Sequence, residues 1–390
     1  VPWSRRLAVV YQRRERTQES PPRNLPRTER GELRRLLRLL RACEPARAED
    51  VPLAIARAYY IAMQPPRGPV LVSIPADDWA KPCEPVAARV VSTEIRPEPR
   101  VLDAIGEALD TSLRPAFVVG AAVDRDGAWS DVVRLAERHN AAGGAAPMSG
   151  RCSFPEDHAL FAGFLPPIRE KIVNFLAGHD VIFALGAAAF TYHVEGSGPH
   201  LPAGARLVQL IDDANIAAWT PQGTSVVGSI RLGVLDLLAR EPPRSRGRPA
   251  PRRQSPRVEP STPMSAAFVM QTLAEIRDPA AIVVEEAPSS RQAMQSYLPI
   301  LRSETFYTMC SGGLGDAMPA AVGVAGTISP SLAALAELRE LVVDGTSVTA
   351  KGLAAFAGHP AHVDPLQGRG LQRRQSVRAA LAPASRARHR

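Results

Sequence analysis

The chain has 390 residues, 45% of them hydrophobic, enough for two or three domains with sizeable cores and without an apolar run of membrane-spanning length. Cys43, Cys83, Cys152 and Cys310 are scattered with no Cys-x-x-Cys pair, which speaks against a disulfide framework or a zinc site and fits a reducing cytoplasm. The net charge of +8 is concentrated in residues 1–42 (twelve Arg, four Glu), 240–257 (seven Arg, one Glu) and 365–390 (seven Arg, no acid), leaving the remainder net acidic.

Taken in order, residues 1–43 read as a basic segment outside any domain. Gln18 to Pro26 is a breaker cluster, and Glu32 to Arg41 is a short basic amphipathic helix with leucines at 33, 36, 37, 39 and 40. From Glu44 the pattern changes. Ala48 to Met63 has helical periodicity and precedes the strand Pro69–Ile74, a loop through Trp79, and a Pro- and Val-rich linker to Pro97.

Between residues 98 and 239 helices alternate with β-branched runs. The helices are Val101–Leu109, Trp129–Asn140, Ile168–Leu176, a short piece at Asn215–Ala218, and Ile230–Leu238. The strands are Ala116–Gly120, Val181–Leu185, Leu207–Ile211 and Ser225–Gly228, with a Gly/Ala turn around Gly143. Continuous apolar strands alternating with helices predict an α/β domain built on a doubly wound parallel sheet. Residues 240–262, rich in Arg and Pro, read as a disordered linker. A second, partial α/β unit over 263–345 begins with a helix at Met264–Ile276 and a strand at Ala281–Val284. It runs through the glycine segment Cys310-Ser-Gly-Gly-Leu-Gly315 into a helix at Ala317–Val324. Such a glycine turn lets the backbone approach a ligand closely and opens a helix toward an anion. A helix at Ser331–Arg339 and a strand at Leu341–Val343 follow, and the tail 346–390 reads as largely disordered. The basic ends carry no aromatic interleaving or groove-reading motif, so they read as solvated segments and not as a nucleic-acid surface.

Several stretches together resemble the thiamine diphosphate-dependent decarboxylase and acetolactate synthase family. They are Glu44–Pro52, Gly68–Trp79, Gly150–Pro155, Gly178–Gly186, Ala189–His193, Leu201–Arg206, Val284–Arg291 and residues 305–325, in family order. The resemblance implies thiamine diphosphate and Mg²⁺ as cofactors. It further implies non-oxidative decarboxylation of a small 2-oxo acid, an aryl glyoxylate such as benzoylformate giving benzaldehyde and CO₂, and a homodimer or homotetramer with no membrane partner. By position, Ser289 would contact the diphosphate, while Gly312 and Leu314 would line the cofactor.

The family pattern also has gaps here. Residues 44–97 match only the end of the family's pyrimidine-binding domain, whose activating glutamate and catalytic histidine find no counterpart in residues 1–43. Met264 stands where a further active-site histidine is expected. The metal motif Gly-Asp-Gly-Ser is represented only by Val343-Asp-Gly-Thr-Ser347, and no Asn follows Asn215. Asp344 therefore reads as a strand-end turn, the metal ligands and catalytic residues stay unassigned, and His139, His158, His179, His193 and His200 read as structural. The Arg-rich wording at both ends is the expectation for a shifted reading frame or a truncated gene, which makes a non-catalytic remnant the alternative function.

Overall fold

In the computed structural model, the described residues are 8–13, 41–68, 70–75, 78–87, 89–188, 192, 196–308, 315, 317, 318, 320, 321, 324, 340–344 and 376–380; for 8–13, 41, 42, 340–344 and 376–380 only the backbone course is described. The chain divides into two compact units, residues 5–310 and residues 311–390 with 1–4.

At the start of the first unit, β3 (Val70–Pro75) is buried along its whole length. Buried backbone groups need partners on both edges. They are met by β1 (Ala8–Arg13) and β2 (Arg41–Cys43) in a parallel sheet of order β1-β3-β2, with Ala8 and Arg41 both opposite Val70. Helix α1 (Val51–Ala62) covers this sheet, packing Ala58 and Ala62 on Val70, Val72 and Ile74. The segment before residue 44 thus contributes two strands where composition suggested none, because a strand is defined by its partner more than by its own wording. The remainder of the expected helix at 32–41 lies outside the described residues.

Six parallel strands form the next layer: β4 (Pro115–Val119), β5 (Ala142–Ala145), β6 (Phe161–Phe164), β7 (Val181–Leu185), β8 (Arg206–Ile211) and β9 (Thr224–Val227), in the order β6-β5-β4-β7-β8-β9. Their side chains alternate between two buried faces. Phe117, Val119, Phe183, Leu185, Val208 and Leu210 pack with helices α2 (Pro99–Thr111), α4 (Trp129–His139) and α7 (Ile230–Ala239). Ala116, Val118, Ile182, Ala184 and Leu207 face α5 (Arg169–Phe175) and the loop through Leu201. Short helices α3 (Ala121–Arg125) and α6 (Ala214–Trp219) follow β4 and β8. The sheet is doubly wound, as the alternation of elements predicts.

Local chemistry sets the boundaries. Helix α2 begins two residues before its apolar pattern because the Glu98 carboxylate accepts from Arg100 N and Val101 N and Pro99 occupies the first turn. Helix α4 stops at Asn140, which takes the left-handed conformation at φ 45. The expected turn around Gly143 is instead strand β5. Glycine is a poor strand former by itself, but large side chains need the space: a Cβ on Gly144 would stand 2.5 Å from Leu165 Cδ1, and one on Gly143 3.3 Å from the Phe154 ring. Gln209, polar within a buried strand, uses three of its four hydrogen-bonding positions. It donates to Ala187 O at 3.0 Å and accepts from Thr220 Oγ1 at 2.9 Å and Ser225 Oγ at 2.7 Å.

Residues 240–262, expected as a disordered linker, contain no helix or strand, and several of their arginines bond to the domain they cross. Arg240 reaches Asp103 and Asp110 at 3.2 and 3.1 Å. Arg246 donates to Leu109 O and Asp110 O at 3.1 and 3.2 Å. Arg252 lies over the Phe161 and Phe164 rings and donates to Gln295 O at 3.1 Å. The partly buried positions Arg240, Pro243, Arg246, Pro249 and Arg252 follow a spacing of three, the period of a polyproline II helix. Arginines that composition marks as solvated are therefore anchors, paired with carboxylates and carbonyls of the domain they cross.

The strap leads to helices α8 (Ala266–Ile276) and α9 (Arg291–Tyr297), with β10 (Val283–Glu285) parallel to β11 (Phe306–Thr308). In the other unit, residues 317, 318, 320, 321 and 324 of the expected helix are helical. There β12 (Glu340–Asp344) pairs antiparallel with β13 (Ser376–Ala380), a strand inside the tail expected to be disordered, whose wording signals no strand without β12 beside it. The expected helix at 331–339 lies outside the described residues.

Candidate functional site

A doubly wound sheet offers a ligand crevice where its strand order reverses, beyond the carboxyl ends of the flanking strands. That point lies between β4 and β7, and here the chain closes it. Gly120 N donates to Leu185 O at 2.9 Å and Ala122 N to Gly186 O at 3.1 Å. A Cβ on Gly120 would stand 2.5 Å from Gly186 O, and one on Gly186, itself at φ +57, would stand 2.7 Å from Val123 N. Loops in such contact leave no gap between them for a ligand backbone.

Beside the closed crevice runs a polar seam. Asp124, 1% exposed, receives Arg151 Nη1 on Oδ2 at 2.8 Å and Glu304 N on Oδ1 at 2.8 Å. The Arg151 guanidinium also sits 4.6 Å over the Tyr307 ring. Thr308 N donates to Gly150 O at 3.1 Å, and Glu156 and Ile300 exchange two bonds, Glu156 N to Ile300 O and Ile300 N to Glu156 Oε2, both at 3.0 Å. Burial pushes the Glu156 carboxyl up to about 7 and raises the neighbouring Cys152 thiol, with Glu156 adding to the rise. The segment 150–156 thereby joins the six-stranded domain to β11.

Ser289 stands exposed on a 3-10 turn, Pro288–Ser290, that leaves β10. Beneath that turn, Glu285 is 5% exposed. Its Oε1 accepts from Ala287 N at 2.6 Å, and its Oε2 accepts from Thr308 Oγ1 at 2.6 Å and pairs with Arg291 Nη2. Arg291 also donates to Thr308 Oγ1 at 2.7 Å. Ser289 thus presents its hydroxyl at the surface, on a turn at the end of a parallel strand.

The other sequence-derived positions fare differently. Gly312 and Leu314 lie outside the described residues. Met264 is 67% exposed. Asp344 ends β12 opposite Ser376, and Gly345 lies outside the described residues. Among the described residues no group of three His, Cys, Asp or Glu side chains is placed to hold a metal ion, and no helix is long and apolar enough to cross a membrane. Three of the histidines have polar neighbours. His158 Nε2 lies 3.3 Å from Glu137 Oε1, His179 Nδ1 lies 3.0 Å from Arg114 O, and His200 Nδ1 lies 2.7 Å from the Tyr192 hydroxyl. His139 is buried, which lowers it to about 4, the Arg246 charge adding to the effect. His193 lies outside the described residues. Sequence reasoning passed over Asp124, Arg151, Glu285, Arg291 and Thr308. The one available signal was the charged pair bracketing the turn in Glu285-Glu-Ala-Pro-Ser-Ser-Arg291.

A doubly wound domain bonded along a seam to a second, smaller pair of parallel strands with covering helices defines a layered α/β protein. The family model described as "Thiamine pyrophosphate enzyme, central domain" matches residues 102–238 of this chain, the span of the six-stranded domain. It is 39% identical to the benzoylformate decarboxylase of Pseudomonas aeruginosa over 285 residues, 72% of this chain and 54% of that protein. The crystal structure of benzoylformate decarboxylase from Polynucleobacter necessarius superposes with a TM-score of 0.70 at 38% identity, covering 74% of this chain and 54% of the other. The thiamine diphosphate-dependent 4-hydroxybenzoylformate decarboxylase of Rhodococcus jostii RHA1 does so at 0.68 and 33%, covering 74% and 55%. The chain spans about half the length of these relatives.

Proposed function

We propose that this chain serves thiamine diphosphate-dependent, non-oxidative decarboxylation of an aryl 2-oxo acid, converting benzoylformate to benzaldehyde and CO₂. The carrying observation is its 39% identity to a benzoylformate decarboxylase across 72% of its own length; the exposed Ser289 turn beyond β10 supports the reading from the side of the site. When bound, the cofactor supplies an electron sink for the carbanion left as CO₂ departs. The residues of this chain bind and orient it. Ser289 would hold the diphosphate through its hydroxyl, and Gly312 and Leu314 would line the cofactor, the glycine by leaving room for close approach. Mg²⁺ on the diphosphate, a cytoplasmic location and a homodimeric or homotetrameric assembly complete the proposal.

Calorimetric titration of the purified chain with thiamine diphosphate and Mg²⁺ tests it, followed by CO₂ release from benzoylformate and from 4-hydroxybenzoylformate. Saturable binding with turnover of either acid is expected. If no heat of binding is seen, the chain is not a cofactor-binding enzyme by itself, and its central domain folds without catalytic purpose.

A further inference from the structure

Resting on that reading of the Ser289 turn, we infer that Glu285, Arg291 and Thr308 are positioning residues that hold this turn in place for a diphosphate. Free, the turn would be a mobile segment. It leaves a three-residue strand, and a 3-10 turn is itself a weak element. What restrains it is the cluster below. Glu285 Oε1 takes the amide of Ala287 at the start of the turn, while Arg291, the residue that follows the turn, pairs with Glu285 Oε2. Both ends of the turn are thus tied to one carboxylate.

Thr308 closes the cluster from the neighbouring strand. Its hydroxyl donates to Glu285 Oε2 and accepts from Arg291 Nη2, using its donor and one lone pair at once. The turn beyond β10 is therefore referenced to the end of β11, and not only to its own strand. Thr308 is bonded through its amide to Gly150, so the reference extends to the six-stranded domain. Because Arg291 is neutralised by Glu285 within this arrangement, its role is to orient the turn, and the contact to the anion falls to the Ser289 hydroxyl. Side chains that fix a ligand-bearing group through buried hydrogen bonds act on affinity without touching the ligand.

Thr308→Val removes the bridging hydroxyl at nearly constant volume, and Thr308→Ser keeps it. Two measurements on the full chain separate the alternatives: amide hydrogen exchange of residues 287–290 without cofactor, and calorimetric titration with thiamine diphosphate and Mg²⁺. Thr308→Val is expected to speed exchange at the Ala287 and Ser290 amides and to weaken cofactor binding, each about tenfold. Thr308→Ser should match the unsubstituted chain in both. Unchanged exchange in Thr308→Val would overturn the inference, as would faster exchange with unchanged affinity. Absence of binding by the unsubstituted chain would overturn the cofactor reading and this role with it. Should Thr308→Val fail to fold, Thr308→Ala removes the same bridging hydroxyl without a branched side chain, and the same two readouts decide.

Discussion

Glu156 and His139 give the chain two opposed responses to pH. Burial lowers His139 from 6.5 to about 4, so the folded ring stays neutral where the unfolded chain is protonated. Its contribution is full above pH 6.5 and is lost as pH falls toward 4. Burial raises Glu156 from 4.5 to about 7, so the folded state keeps a proton that the unfolded chain releases. That contribution is full below pH 4.5 and is lost as pH rises through 7. Glu156→Gln should therefore gain stability on the parent between pH 5 and pH 8, by about 1–2 kcal/mol. Urea midpoints at the two pH values measure this; an equal offset at both would mean that Glu156 does not titrate in that window. Asp124→Asn leaves the buried Arg151 guanidinium (6% exposed, against 1% for its partner) without its counter-charge. The expected loss is about 3–5 kcal/mol, read from the same urea curves at pH 7.

Among the elements, the strap from Arg240 to Val258 shows how local reading and tertiary contact diverge. Its composition lacks apolar residues for a core, so no pattern in the text distinguishes it from a flexible linker. Docking arises because every third residue returns to one side, bringing Arg240, Arg246 and Arg252 onto carboxylates, carbonyls and aromatic rings supplied by distant segments. The receiving helix is shaped for this. A Cβ on Gly106 of α2 would stand 2.5 Å from Arg240 Nε, so the helix carries glycine where the guanidinium crosses it. A docked strap must open before a protease can cut it. Limited trypsin digestion should thus cut slowly after Arg244 and Arg253, and Arg246→Ala should speed that cleavage several-fold. Equally fast cleavage in the parent and the variant would show that the anchors do not hold the strap.

For the first compact unit as a whole, the seam matters more than the domain boundaries visible in the text. Gly150, Arg151, Glu156 and Asp124 bond to Thr308, Tyr307, Ile300 and Glu304. Separate cores joined by several buried polar contacts unfold together when the contacts outweigh the gain from separate melting. Scanning calorimetry should show residues 98–308 melting in one transition, and Arg151→Met should split it into two. A split in the parent protein would refute the coupling.

The sequence by itself determined the layered pattern of the central domain, since continuous apolar runs such as Val181–Leu185 can be satisfied only between two covered faces. It also carried the likeness to the thiamine diphosphate-dependent decarboxylases, because the matching segments occur in order along the chain. It marked Ser289 as a diphosphate contact only through the resemblance, and the structure places that residue on an exposed turn at a parallel strand's end. Tertiary structure alone decided that Gly143 and Gly144 lie in a strand, that the arginine-rich strap is anchored, that the switch crevice is shut, and that Glu285, Arg291 and Thr308 share one cluster. Each of these depends on partners between six and more than a hundred residues away in the chain. Local composition records what a segment can bury by itself, but not which groups the fold will bring against it.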